Sequence, residues 1–110
     1  MTFDEYQKTA ELTAKYPDKH KIIYAALGLG NESGEVLGKI KKWIRGDDGD
    51  DAMTEERRQD LKGELGDVLW YVTILSRDLG FSLDEVAEYN NKKLLDRLER
   101  GKLHGDGDIR

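Results

Sequence analysis

A single proline, Pro17, stands in the whole chain, and alternating apolar and polar runs rich in β-branched residues are nearly absent. Apolar residues instead return every three or four positions, the period of an amphipathic helix. This combination predicts an all-α fold. The 110 residues suffice for one domain with a modest core and leave no room for a second.

Local signals place four helices. Thr2 with Glu5 has capping-box spacing, and Phe3, Tyr6, Ala10 and Leu12 or Thr13 give an inner face to a first helix that Tyr16 and Pro17 end. Asp18 is placed to cap a second, which carries Ile22, Ile23, Leu29, Val36, Leu37, Ile40 and Ile44 over roughly thirty residues to Gly46. Thr54 can cap a third, with Leu61, Leu65, Val68, Leu69, Val72 and Leu75 or Leu79 on its core side and Gly80 as its stop. Ser82 with Glu85 opens a fourth, which runs through Val86, Tyr89, Leu94 and Leu98 to Gly101. The second and third are expected to form a long central antiparallel hairpin in a four-helix-bundle-like arrangement. Residues 1–100 then make a single all-α domain. Residues 101–110 make a glycine-rich tail, either disordered or laid on a partner surface.

Small residues recur along the second helix at Ala26, Gly30, Gly34 and Gly38. Glycine costs about 1 kcal/mol of helix propensity relative to alanine, so the stripe calls for a closely approaching helix. Much apolar helix surface would also stay uncovered in one chain, and a homodimer or homotetramer is expected.

The hairpin carries two acidic pairs, Glu32 with Glu35 and Glu64 with Asp67. Within each pair the spacing of three puts both carboxylates on one helical face. Between Glu35 and Glu64 lie 28 residues, enough to finish one helix, turn and run the next one back beside it. The pairs are expected to face each other as one four-carboxylate cluster. Hard divalent cations take oxygen ligands, and Mg²⁺ is commonly held by one or two carboxylates together with substrate phosphates. Gly28, Gly30 and Gly34 beside the first pair, and Gly63 and Gly66 beside the second, would clear space there.

Charge and composition narrow the chemistry. With 18 Lys and Arg against 23 Asp and Glu, the net charge of −5 disfavours a nucleic-acid partner. The absence of Cys excludes thiolate ligands and a Cys nucleophile, and without Cys or a central His the natural chemistry is metal-assisted hydrolysis and not covalent catalysis. The start M-T-F-D-E-Y lacks the features of a signal peptide, and no run reaches the ~20 apolar residues of a membrane span. A cytoplasmic protein with no membrane partner is expected. The stretch G-D-D-G-D-D-A-M holds Asp47, Asp48, Asp50 and Asp51, but the calcium-loop template fits it in no register, so it reads as a solvated loop.

On the fourth helix, Asn90, Lys93 and Arg97 share a face that can meet polyphosphate oxygens. Ion pairing with Glu85, Asp96 or Glu99 is the structural alternative. Lys39, Lys41, Lys42 and Arg45 mainly complement the C-terminus of the second helix. Trp43, Trp70, Tyr24 and Tyr71 are candidates for stacking on a base, although aromatics on helices more often serve the core. His20 and His104 lie outside these patterns.

The string E-x-x-E, 28 residues, E-x-x-D over roughly residues 20 to 98 resembles the motif of the MazG-like all-alpha nucleoside triphosphate pyrophosphatases. The N-x-x-K-L-x-x-R string that contains Asn90, Lys93 and Arg97 is similar to a second, nucleotide-contacting element of that family. The resemblance implies the all-alpha pyrophosphatase fold, with Glu32, Glu35, Glu64 and Asp67 corresponding to magnesium ligands, and Mn²⁺ a conceivable substitute. It implies hydrolysis of a nucleoside triphosphate to monophosphate and pyrophosphate, with Glu32 or Glu35 handling the attacking water, and an oligomeric protein. A pyrophosphatase specific for dUTP or phosphoribosyl-ATP, or a non-catalytic helical interaction or regulatory module, is the alternative.

Overall fold

A computed structural model describes residues 1–46, 52–101 and 104–108; Asp47, Asp48, Asp50 and Asp51, expected in a solvated loop, lie outside the described residues. Four helices make up the fold: α1 (Phe3–Thr13), α2 (Ile23–Arg45), α3 (Glu55–Asp78) and α4 (Leu83–Glu99), with a short 3₁₀ turn at Asp18–His20 before α2. No strand occurs among the described residues, and the class is all-α.

Three of the four helix starts are set by side chains near in sequence. Thr2 Oγ1 accepts from the Glu5 N–H while Glu5 returns the bond to the Thr2 N–H, both at 3.1 Å. Thr54 Oγ1 accepts from the Arg57 N–H at 3.1 Å. Ser82 and Glu85 form the second reciprocal box at 3.0 and 3.2 Å. Such caps satisfy N–H groups that no turn of helix can reach. Ser82→Ala is expected to lower stability by about 1 kcal/mol and the melting temperature by about 4 °C, read by thermal denaturation. At the exits Gly46 and Gly80 take φ of +77° and +90°, conformations that glycine adopts without a Cβ penalty.

The start of α2 departs from expectation. Asp18 does not open it: residues 18–20 form the 3₁₀ turn, and Ile22, with φ +70° and no side-chain cap, leads into a helix of 23 residues rather than about thirty. A β-branched residue at positive φ is strained and needs an anchor. Asp78, at the far end of α3, supplies it. Its Oδ2 accepts from the Ile22 N–H at 3.0 Å and from Tyr16 Oη at 2.6 Å, and Arg77 Nη2 lies 3.0 Å from Oδ1. Burial first, then the bond to Asp78, pushes the Tyr16 phenol up to about 12.

The hairpin of α2 and α3 is the largest helix pairing, and α1 and α4 pack on α3 and on each other. The buried core is small and lies toward one end of the hairpin. Ala10, Ala25 and Ile74 meet there, flanked by Tyr6, Ala14, Tyr16, Trp70, Tyr71 and Leu75. Alanines on α1 and α2 let both helices come close to Ile74. Trp70 Nε1 donates to Thr13 Oγ1 at 2.8 Å, and the Leu83 N–H donates to Gln7 Oε1 at 2.8 Å, which ties α1 to α3 and to the start of α4.

Many residues expected in the core are exposed. Leu65 and Leu69 on α3 and Leu79 just past its end, Phe3 and Leu12 on α1, and Val86, Tyr89, Leu94 and Leu98 on α4 all face solvent in the single chain. The physical reason is shape. The radius of gyration is 17.1 Å, against about 13 Å for a compact domain of this length. The helices are too splayed to enclose both sides of the hairpin. The glycine stripe likewise has no close neighbour among the described residues: a Cβ at Gly30, Gly34 or Gly38 would meet nothing within 4 Å, and the same holds for Gly63 and Gly66.

Candidate metal centre

Glu64 and Asp67 project from one face of α3, and Glu32 faces them from α2. One carboxylate oxygen from each of the three lies within 4.8 Å of the others. Glu35 does not come within that distance of the others, so the structure brings three of the four expected acids together. Residues three apart on a helix differ in direction by about 60°, enough to turn Glu35 away when Glu32 points at α3. Its charge is still felt. Burial first, then the charges of Asp67, Glu64 and Glu35, push the Glu32 carboxyl above its ordinary range.

Among the described residues, no ion pair includes Glu32, Glu64 or Asp67. The neighbouring phenols register the same negative field: Tyr6 is raised by burial and then by Asp67, and Tyr71 by burial, its hydrogen bond with Tyr24, and the charges of Tyr24, Glu32 and Asp67. An open cleft of about 350 Å³ lies beside the acids, lined by Thr13, Glu32, Asp67, Trp70 and Tyr71. An all-oxygen donor set with unbalanced negative charge, open to solvent on one side, fits a hard divalent cation that shares its shell with phosphate and water.

The four aromatic candidates separate. Trp70 and Tyr71 wall the cleft, their rings edge to face at 4.8 Å and 81°. Tyr24 stacks on Tyr16 at 4.6 Å. Trp43 lines a different cavity of about 330 Å³ farther along the hairpin, with Lys39, Lys42, Arg57 and Asp60.

The basic face of α4 is engaged by the chain's own tail. Lys93 Nζ lies 2.7 Å from Asp108 Oδ1, and Arg97, 4 % exposed, donates to the Asp108 carbonyl and sits 3.4 Å from the same carboxylate oxygen. Both cations hold Asp108 below the usual carboxylate range, Lys93 most of all. The expected partners Glu85 and Asp96 are occupied elsewhere, in the Ser82 cap and with Arg100. The tail, expected to be disordered or on a partner, thus returns to its own α4 at Asp108. Asn90 is exposed, and none of Asn90, Lys93 and Arg97 lines the acidic cleft of the same chain.

Sequence reasoning missed Gly28 against Tyr71, Asp78 and Asp108. Only the first left a signal, a glycine one turn before Glu32. Asp78 and Asp108 act through contacts set by tertiary structure and look like ordinary surface acids in the sequence.

The model of the MazG nucleotide pyrophosphohydrolase domain matches residues 19–101, which takes in α2, α3 and α4 and leaves α1 and Asp108 outside. Gene 37 protein of Mycobacterium phage L5 is 41% identical over 116 aligned positions that span all of both chains. The uncharacterized protein YvdC of Bacillus subtilis is 32% identical over 74 positions, 64% of this chain and 70% of that one. No solved structure matches the chain.

Proposed function

The chain belongs to the MazG nucleotide pyrophosphohydrolase domain family, and from that premise we propose that it is a Mg²⁺-dependent pyrophosphohydrolase that converts (d)NTPs to (d)NMP and pyrophosphate. The observation that carries the proposal is the facing of Glu32 on α2 with Glu64 and Asp67 on α3, oxygens within 4.8 Å. When bound there, Mg²⁺ or Mn²⁺ would neutralise charge on the phosphates and lower the pKa of water.

The chain's own residues do the rest. Glu32, Glu64 and Asp67 would hold the cation. Glu32 or Glu35 is proposed to accept the proton of the attacking water at its carboxylate; the charge of Glu35 is felt at Glu32. Water adds to the α-phosphorus, and the bond to the bridging oxygen breaks to release pyrophosphate. Trp70 and Tyr71 offer aromatic surface for the base beside the acids.

Asn90, Lys93 and Arg97 are proposed to meet the phosphates. Because they do not line the cleft of their own chain, a homodimer or homotetramer is proposed to bring two chains' elements together. The exposed Leu27, Leu37, Leu65, Leu95 and Leu98 and the open glycine stripe support that assembly. Asp108 then competes with substrate oxygens, and Asp108→Asn is expected to lower KM by about two- to fivefold with kcat little changed. Steady-state kinetics checks this; an unchanged or raised KM argues against phosphate contact by Lys93 and Arg97.

The test of the function is a panel of ribo- and deoxyribonucleoside triphosphates, including dUTP, together with phosphoribosyl-ATP, assayed for pyrophosphate with Mg²⁺ and with chelator. Release from at least one compound, abolished by chelator, is expected. A helical, folded protein that releases pyrophosphate from none would leave the interaction module as the better account.

A further inference from the structure

We propose that Tyr71 is a positioning residue for the acid cluster: its ring, seated against the Gly28 backbone, fixes the register at which α2 presents Glu32 to Asp67. The inference rests on the cation-site reading above.

Gly28 lies one turn before Glu32, and Tyr71 one turn after Asp67. In an antiparallel pair these turns are level, so the Gly28–Tyr71 contact and the Glu32–Asp67 approach are successive rungs of one interface. The contact leaves no room for a side chain, because a Cβ at Gly28 would stand 2.0 Å from Tyr71 Cε1 and 2.4 Å from Cδ1 and Cζ, far inside contact distance. A Cβ at Gly30, Gly34 or Gly38 on the same helix would meet nothing within 4 Å among the described residues, which singles out Gly28 as the glycine of this helix that the described packing requires.

The ring is held from several sides. Trp70 meets it edge to face at 4.8 Å, and Trp70 is pinned to α1 through Thr13. Tyr24, with ring centroids 6.4 Å away, stacks on Tyr16 at 4.6 Å, and Tyr16 is bonded to the buried Asp78 carboxylate. A fixed contact is needed here because three carboxylates with no ion-pair partner among the described residues push the two helices apart. The cation pulls them together only if Glu32 already stands at the right level.

The experiment compares Tyr71→Phe and Tyr71→Leu with the parent protein. It reads the Mn²⁺ concentration that gives half the maximal rise in melting temperature, together with helicity and melting without metal. Tyr71→Phe keeps the ring and is expected to stay within about twofold of the parent, whereas Tyr71→Leu is expected to need about tenfold more Mn²⁺ or more. A merely structural side chain would lower the metal-free melting temperature and leave the Mn²⁺ midpoint alone. That result in a folded Tyr71→Leu protein overturns the proposal. Should Tyr71→Leu fold poorly, Gly28→Ala with Tyr71→Leu refills the space, and a parental midpoint in that folded double variant overturns it equally. A parent protein that Mn²⁺ does not stabilise removes the cation site and this inference together. A parent that Mn²⁺ stabilises but that releases pyrophosphate from no triphosphate defeats the proposed activity alone.

Discussion

Replacing Glu64 by Gln together with Asp67 by Asn is expected to abolish pyrophosphate release and to remove the stabilisation by divalent cation, while leaving the helices intact. The substitutions keep side-chain shape and helix position and take away two of the three oxygens that carry charge to the site. Charge neutralisation by a bound cation contributes several kcal/mol to a phosphoryl transition state. About 4 kcal/mol corresponds to a thousandfold in rate, so turnover is expected to fall by about that factor or more. Cation at about ten times its dissociation constant stabilises a native site by about 1.4 kcal/mol, a rise of roughly 5 °C for a domain of this size, and the double variant should show little of it.

Without cation the sign reverses. Two of the carboxylates that oppose Glu32 are gone, and the variant is expected to melt at or above the parent. Glu32 titration carries the same sign: its folded carboxyl is raised, so its contribution is fully present below its ordinary value of 4.5 and is lost as pH rises through the higher folded value. Metal-free parent protein should therefore lose this contribution as pH climbs out of that range, and the variant, in which burial and Glu35 still act on Glu32 but the charges of Asp67 and Glu64 are gone, should lose less of it. Thermal melts across pH, with and without Mg²⁺, check both statements.

The largest effect on stability is expected at Asp78. Its side chain is 0 % exposed and accepts from Tyr16, the Ile22 N–H and Arg77. Burial alone would raise its carboxyl, but the bonds from Ile22, Tyr16 and Arg77 outweigh it and hold the group below its ordinary 3.8. Removing one partner of a buried ion pair costs about 3–5 kcal/mol, and because Arg77 retains some access to water, Asp78→Ala belongs near the lower end. That is a large share of the roughly 5–15 kcal/mol that holds a domain together, and a fall of about 10 °C or more in melting temperature is expected.

A lowered carboxyl contributes stability that is present above its unfolded value and lost as pH falls through the folded one. The gap between parent and Asp78→Asn should therefore be widest near neutral pH and close as pH drops below about 4. A gap that stays constant down to pH 2 would show that Asp78 acts only as a neutral acceptor.

What was legible in the sequence was local. The boxes at Thr2/Glu5 and Ser82/Glu85, the Thr54 cap and the stops at Gly46 and Gly80 depend on residues a few positions apart, and they stand where the spacing puts them. The pairing of Glu64 with Asp67 was legible for the same reason, and Glu32 opposite them followed from an antiparallel hairpin.

Glu35 shows the limit. Spacing says that two acids share a helical side, but only the rotation of α2 against α3, fixed where Tyr71 meets Gly28, decides which one faces across. The late start of α2 was hidden because its anchor, Asp78, lies 56 residues from Ile22. Likewise the basic pair on α4 found its partner at Asp108, beyond the helix end. The apolar pattern misled in another way: it marks a face that wants covering and is silent on whether its own chain or another covers it. Leu65 and Leu98 are apolar at helical spacing and yet exposed.

The central claim is that three carboxylates facing across the hairpin position a triphosphate for attack on its α-phosphorus. The direct measurement is ³¹P NMR of a (d)NTP digested by the protein with Mg²⁺ in ¹⁸O-labelled water. The account predicts monophosphate and pyrophosphate as products, with the label on the monophosphate. Label in the pyrophosphate, or diphosphate and orthophosphate as products, would contradict it.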